Sequence, residues 1–91
     1  MGLMIIHHKV KDFAAWKPIY DAHEPKRLDA GLSNGRVFQS VDDANDLVLL
    51  FDMADAQRAR DFAASEDLRT TMAGAGVLGP PTLHFLDPHG G

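Results

Sequence analysis

An α+β fold follows from three observations on this 91-residue sequence. Short apolar runs rich in β-branched residues alternate with stretches whose apolar residues recur at helical spacing. Breakers stand between them: Gly31, the cluster Asp42 to Asp46, and Gly74 with Gly76. Two of the apolar runs are also apolar at both parities, which predicts strands covered on both faces.

The first strand runs from Leu3 to Val10, L-M-I-I-H-H-K-V, with nothing to break it. Successive side chains on a strand point to opposite faces, so His7 and His8 act on different sides. A helix follows from Asp12, a good N-cap, to Gly31, a good C-terminal stop. At ~100° per residue, Phe13, Trp16, Ile19, Tyr20, His23, Arg27 and Ala30 share one side of it. Pro18 and Pro25 fall on the opposite side, where the sequence predicts kinks rather than collapse.

Leu32 to Val41 is the second strand, with a bulge expected at S-N-G. Asp42 to Asp46 makes a turn, and Asp46 to Asp52 (D-L-V-L-L-F-D) is the third strand. Asp52 with Asp55 suggests a weak capping box for a helix to about Ala64. Ser65 caps a further short helix carrying Leu68, Met72 and Ala75. Gly79-Pro80-Pro81 extends the chain, and Thr82 to Leu86 is the last strand. The tail D-P-H-G-G is expected to fray.

The order β-α-β-β-α-α-β is the ferredoxin-like split β-α-β topology. It implies one domain over residues 1–91, with an antiparallel sheet ordered 4-1-3-2 and helices on one face. Helices on one face leave the other wet, yet the first and third strands are apolar on both sides. A second copy, packed sheet to sheet, covers that face most simply. A chain this small has a marginal core, and with no cysteine to staple it, oligomerisation is the remaining route to stability.

A net charge of −4 and a pI near 5.6 disfavour nucleic acid as a partner. RNA-recognition domains share the topology but need stacking aromatics on the first and third strands, where this chain has only Phe51. No segment approaches the ~20 apolar residues of a membrane span, and the N-terminal run is too short for a signal-peptide core, so a cytoplasmic location is expected.

The run H-K-V-K-D-F-A-A-W-K-P-I-Y-D-A-H-E-P (His8 to Pro25) resembles small bacterial proteins of the dimeric α/β-barrel superfamily, related to antibiotic-biosynthesis-monooxygenase-like domains. The stretches F-A-A-S-E-D-L-R (Phe62 to Arg69) and G-V-L-G-P-P-T-L-H-F-L (Gly76 to Leu86) fit the same group. The resemblance implies a homodimeric barrel. Its superfamily spans cofactor-independent quinol oxygenases, isomerases and cyclases of small rings, haem-degrading enzymes and haem peroxidases. The haem-degrading branch carries a Trp and a His in the second half of the chain, whereas this sequence has no Trp after Trp16 and no His between His23 and His84.

The residues themselves offer a short set of candidates. His23, one turn from Tyr20 and Arg27, and His8 on the first strand are candidate general bases. Each is equally a histidine satisfied by ordinary hydrogen bonds in the interior. Trp16 and Tyr20 can stack on a planar ligand or serve as helix-to-sheet core. Arg27 can hold an acidic or phenolate ligand, or pair with Glu24 or Asp29. His84 pairs with His8 across strands if their parities match. The histidines lack the i, i+2 or i, i+4 spacing of metal ligands, so no metal is expected, and no motif implies an organic cofactor.

Two functions fit. One is a cofactor-independent monooxygenase, isomerase or cyclase acting on a small planar phenolic or ring substrate. The other is a non-catalytic dimer that binds a small hydrophobic or aromatic ligand, or only itself.

Overall fold

Alternation along the first and third strands decides which way the sheet faces. In the computed structural model, which describes residues 2–89, β1 (Gly2–Val10) buries Met4, Ile6, His8 and Val10. β3 (Asp46–Met53) buries Leu47, Leu49, Phe51 and Met53. The two strands pair antiparallel at the centre of the sheet, with Met4 opposite Phe51, Ile6 opposite Leu49 and His8 opposite Leu47. These pairs form the floor under the helices. β2 (Leu32–Gln39) flanks β3 and β4 (Val77–Leu86) flanks β1, so the sheet reads β2-β3-β1-β4. That is the expected 4-1-3-2 order read from the other edge.

The S-N-G bulge is present. Pairing of β2 with β3 slips between Ser33 and Arg36, where Asn34 adopts a φ of 50°. β4 begins five residues before the expected Thr82, because the chain pairs with β1 on both sides of Gly79-Pro80-Pro81. A register shift between His7 and Lys9 absorbs the prolines. An edge strand tolerates them where the shift in register leaves them outside the ladder.

The single helix expected from Asp12 to Gly31 is two. α1 spans Phe13–Ala22 and α2 spans Glu24–Asp29, separated at His23. Pro25 is the cause: it has no N–H to continue the ladder, and its ring excludes the carbonyl four residues back. The chain restarts instead, with the His23 carbonyl accepting from the N–H groups of Lys26 and Arg27. Pro18 stays inside α1 on its exposed side. Asp12 caps α1 by accepting from the Ala14 N–H at 3.1 Å, and Gly31 ends α2 in the left-handed region at φ 79°.

α3 (Ala56–Ala63) is capped by Asp55 alone, which accepts from the N–H groups of Gln57 and Arg58. Asp52 is not part of a capping box. It remains in β3, where its carboxylate accepts from Arg36 and Asn34. α4 (Glu66–Gly74) starts at Ser65, whose hydroxyl accepts from the Leu68 N–H at 3.2 Å.

All four helices lie on one face of the sheet, and they hold it unequally. α1 contributes the buried Trp16 and α2 the buried Arg27; α3 buries only Ala59, and α4 has no buried residue at all. On the opposite face Leu3, Ile5, Val48 and Leu50 are only half-buried, and Phe38 is exposed. In the tail, Asp87 to His89 has no regular structure, and Gly90 and Gly91 lie outside the described residues. Among the described residues no helix is long and apolar enough to cross a membrane.

Candidate functional site

The inward face of α1 builds a ladder of rings. Residues 13, 16, 20 and 23 are spaced by three and four, so their side chains stand above one another. Trp16 stacks on Tyr20 at 4.8 Å between centroids, and Phe13 tilts against Trp16 at 5.8 Å. Arg27 folds back from α2 to close the upper end. Its guanidinium carbon lies 3.9 Å from the Tyr20 ring centroid and 5.7 Å from that of Phe51.

Beneath the ladder lies a small apolar cavity of about 50 Å³. Its walls bring together five of the six expected site residues: His8 from β1, Trp16 and Tyr20 from α1, His23 from the break, and Arg27 from α2. The sixth, His84, is elsewhere. It pairs with Ile5, so its side chain points to the open face of the sheet, opposite to His8. The two histidines differ in parity and do not meet, which removes His84 from this cavity.

His8 is the unusual member. It is 6% exposed, and both ring nitrogens are buried without a hydrogen-bond partner among the described residues. Its ring meets Trp16 edge-on at 5.8 Å. Burial, with a smaller contribution from the neighbouring His7, lowers its pKa from the ordinary 6.5. His8 is therefore a neutral imidazole at pH 7, with a lone pair on one nitrogen and a proton on the other. An unsatisfied buried polar group costs ~1–3 kcal/mol, which is unusual unless something else occupies it.

His23 is differently placed. Its Nε2 lies 3.2 Å from a carboxylate oxygen of Asp67 in the first turn of α4, and its ring stacks on Phe62 at 5.8 Å. A carboxylate only accepts, so Nε2–H is the donor of this contact. The His23–Asp67 contact joins the α1–α2 break to α4 across the mouth of the cavity.

Arg27 makes neither of the ion pairs considered from sequence. Its Nη1–H donates to the Tyr20 carbonyl at 2.7 Å, and no carboxylate pairs with it among the described residues. Burial lowers its pKa, while Tyr20, Glu24 and Asp21 pull the other way. Tyr20 presents its ring to the cavity but sends its hydroxyl toward β2. A Cβ on Gly35 would come within 2.7 Å of that oxygen. Burial raises the Tyr20 pKa, opposed chiefly by the Arg27 charge. The hydroxyl is thus a neutral donor at pH 7. It lies on the side of a second, polar cleft of about 280 Å³, which Tyr20, Arg27 and Phe51 also line.

The far wall went unassigned in the sequence. Phe62, Leu68, Thr71 and Met72 from α3 and α4 complete the cavity. Their apolar spacing marks them as inward-facing, but nothing local indicates what they face. Asp67 carries no sequence signal as the partner of His23, 44 residues away. Among the described residues, no three His, Asp or Glu side chains gather as a metal site requires.

This architecture has relatives among solved structures. An antibiotic biosynthesis monooxygenase superposes with a TM-score of 0.73 at 18% identity, covering 99% of this chain and 100% of that one. SnoaB, a cofactor-independent oxygenase from Streptomyces nogalater, gives 0.75 at 11% identity, covering 99% and 94%. Rv0793 from Mycobacterium tuberculosis gives 0.67 at 18% identity, covering 100% and 98%. The chain therefore has the ferredoxin-like fold of the antibiotic-biosynthesis-monooxygenase structures. No protein-family profile matches it, and no curated protein does.

Proposed function

We propose that the protein is a homodimeric, cofactor-independent enzyme of small planar molecules, with a phenolic or ring substrate and His8 as its general base. One observation carries this reading. His8 is a neutral imidazole, cut off from water and from protein partners, aimed into an apolar cavity walled by stacked rings. A base of this kind has its lone pair free for a substrate hydroxyl and loses no competing hydrogen bond when it takes the proton.

The other residues divide the remaining tasks. Trp16 and Tyr20, stacked on each other with Arg27 over Tyr20, give a ring an aromatic wall to pack against. Arg27, the one permanent cation on the wall, offsets negative charge on the ligand in a medium where that attraction is strong. His23, held by Asp67, stands second in line as a base near the mouth. The fold shared with SnoaB, an oxygenase described as cofactor-independent, supports the reading at the level of architecture.

The test is oxygen consumption and product formation with a panel of hydroquinones and dihydroxynaphthalenes. The wild type should accelerate oxidation of at least one, and His8→Phe should lower kcat by roughly 10²–10⁴-fold, the ordinary worth of a general base. Binding without turnover across the panel would favour the second reading, a non-catalytic ligand-binding dimer. The small volume of the cavity is the observation on that side, since about 50 Å³ does not hold a substituted ring without movement of a wall.

A further inference from the structure

We propose that the ligand of this site is an aromatic monocarboxylate, with its carboxylate on Arg27 and its ring entering the apolar cavity as the α4 wall yields. This deepens the reading of the cavity as a small-molecule site and rests on it. The negative charge that Arg27 meets is then one the ligand carries permanently, not only one created by His8.

The argument begins with an imbalance. Arg27 is 7% exposed, yet of the five donors a guanidinium offers, only one has an acceptor among the described residues, the Tyr20 carbonyl. The nearby acids Asp21 and Glu24 influence it through space but do not pair with it. Its other nitrogens are not sealed in, since among the described residues only His8 has buried side-chain nitrogens without a partner; they open on the polar cleft, where no protein carboxylate pairs with them. Here the acid is missing from the protein, and a ligand can supply it.

The shape of the surroundings narrows the ligand. Arg27 lines both the apolar cavity and the polar cleft, so a group bound to it lies where the two meet. On one side are Trp16, Tyr20 and Phe51, which suit a flat apolar ring. The guanidinium presents a planar fork that matches a carboxylate with two parallel hydrogen bonds. A dianion fits poorly, because Asp21 and Glu24 also face the cleft. One negative charge on a flat group, attached to a ring, satisfies all three constraints.

The experiment titrates the full-length protein with benzoate, with benzamide as the neutral isostere and acetate as the ringless acid, followed by NMR. Benzoate should bind about tenfold or more tightly than either, and should shift the Arg27 Nε–H resonance. Arg27→Met should erase the difference between benzoate and benzamide. Should that variant fail to fold, the Arg27 Nε–H shift in the wild type decides instead. Equal binding of benzoate and benzamide, no binding of benzoate at millimolar concentration, or a bound benzoate that leaves the Arg27 resonance unmoved would each overturn the proposal. The two readings fail separately. Turnover abolished by His8→Phe without benzoate binding would sink the carboxylate and keep the enzyme, and the reverse pattern would do the opposite.

Discussion

His8 couples the site to stability. Its folded pKa lies below the ordinary 6.5, so between those two values the unfolded chain binds a proton that the folded chain refuses. The contribution of neutral His8 is therefore complete above pH 6.5 and is lost as pH falls toward the folded value. Urea denaturation across this range should show wild-type stability declining on acidification. His8→Phe should flatten the slope, and the difference between the curves isolates His8 from the carboxylates. Gly35 makes a second residue-level case. Its φ is unremarkable, so the requirement for glycine is one of space: a Cβ would crowd the Tyr20 hydroxyl at 2.7 Å and Phe51 at 3.0 Å. Gly35→Ala should cost about 1–3 kcal/mol in denaturation experiments. In a double-mutant cycle Tyr20→Phe should recover part of that loss, because only the contact with the oxygen disappears. The inward stripe from Phe13 to Arg27 was legible from spacing alone, since periodicity encodes which side chains share a face. That His8 has no partner was not legible, because satisfaction of a polar group depends on every neighbour, including those distant in sequence.

Among the elements, those with a local cause were readable and those with a cooperative one were not. Asp12, Gly31 and Ser65 act on backbone groups within a few residues, and each caps or stops its helix as expected. The sequence points to a kink where the chain splits at His23, because the effect of Pro25 depends on whether the chain bends or restarts. Restarting is favoured here by the new bonds to the His23 carbonyl and by burial of Arg27. The early start of β4 is hidden for a related reason: Gly-Pro-Pro reads as a connector until a register shift against β1 carries the strand past it. α4 depends on its cap more than the other helices do, having no buried side chain to hold it. Ser65→Ala should cost ~1 kcal/mol, and hydrogen exchange should quicken across residues 66–74 while the amides of β1 and β3 stay protected.

At the scale of the molecule, the strand order followed from element order because few topologies are compatible with short connections. Leu3, Ile5, Val48 and Leu50 stay half-buried in the single chain, short of the cover that apolar residues on both strand faces predict. A partner seated there is the expected occupant, so light scattering should give about twice 9.9 kDa at micromolar concentration. Ile5→Lys combined with Leu50→Lys should shift the mass toward the monomer, since paired lysines on that face would have to be desolvated together. A monomeric wild type would refute the sheet-to-sheet assembly. The loosely held α4 has one more consequence, and it concerns time. Among the described residues a single side-chain hydrogen bond, His23–Asp67, joins the helix that walls the cavity to the opposite wall, while the strands below are locked in the core. The wall that yields to a ligand at least cost is then α4, by a local excursion and not by unfolding of the domain, and that excursion is the same whatever waits outside. Association should accordingly level off with rising ligand concentration at a single rate shared by chemically different ligands. Selectivity would reside in how long each one stays.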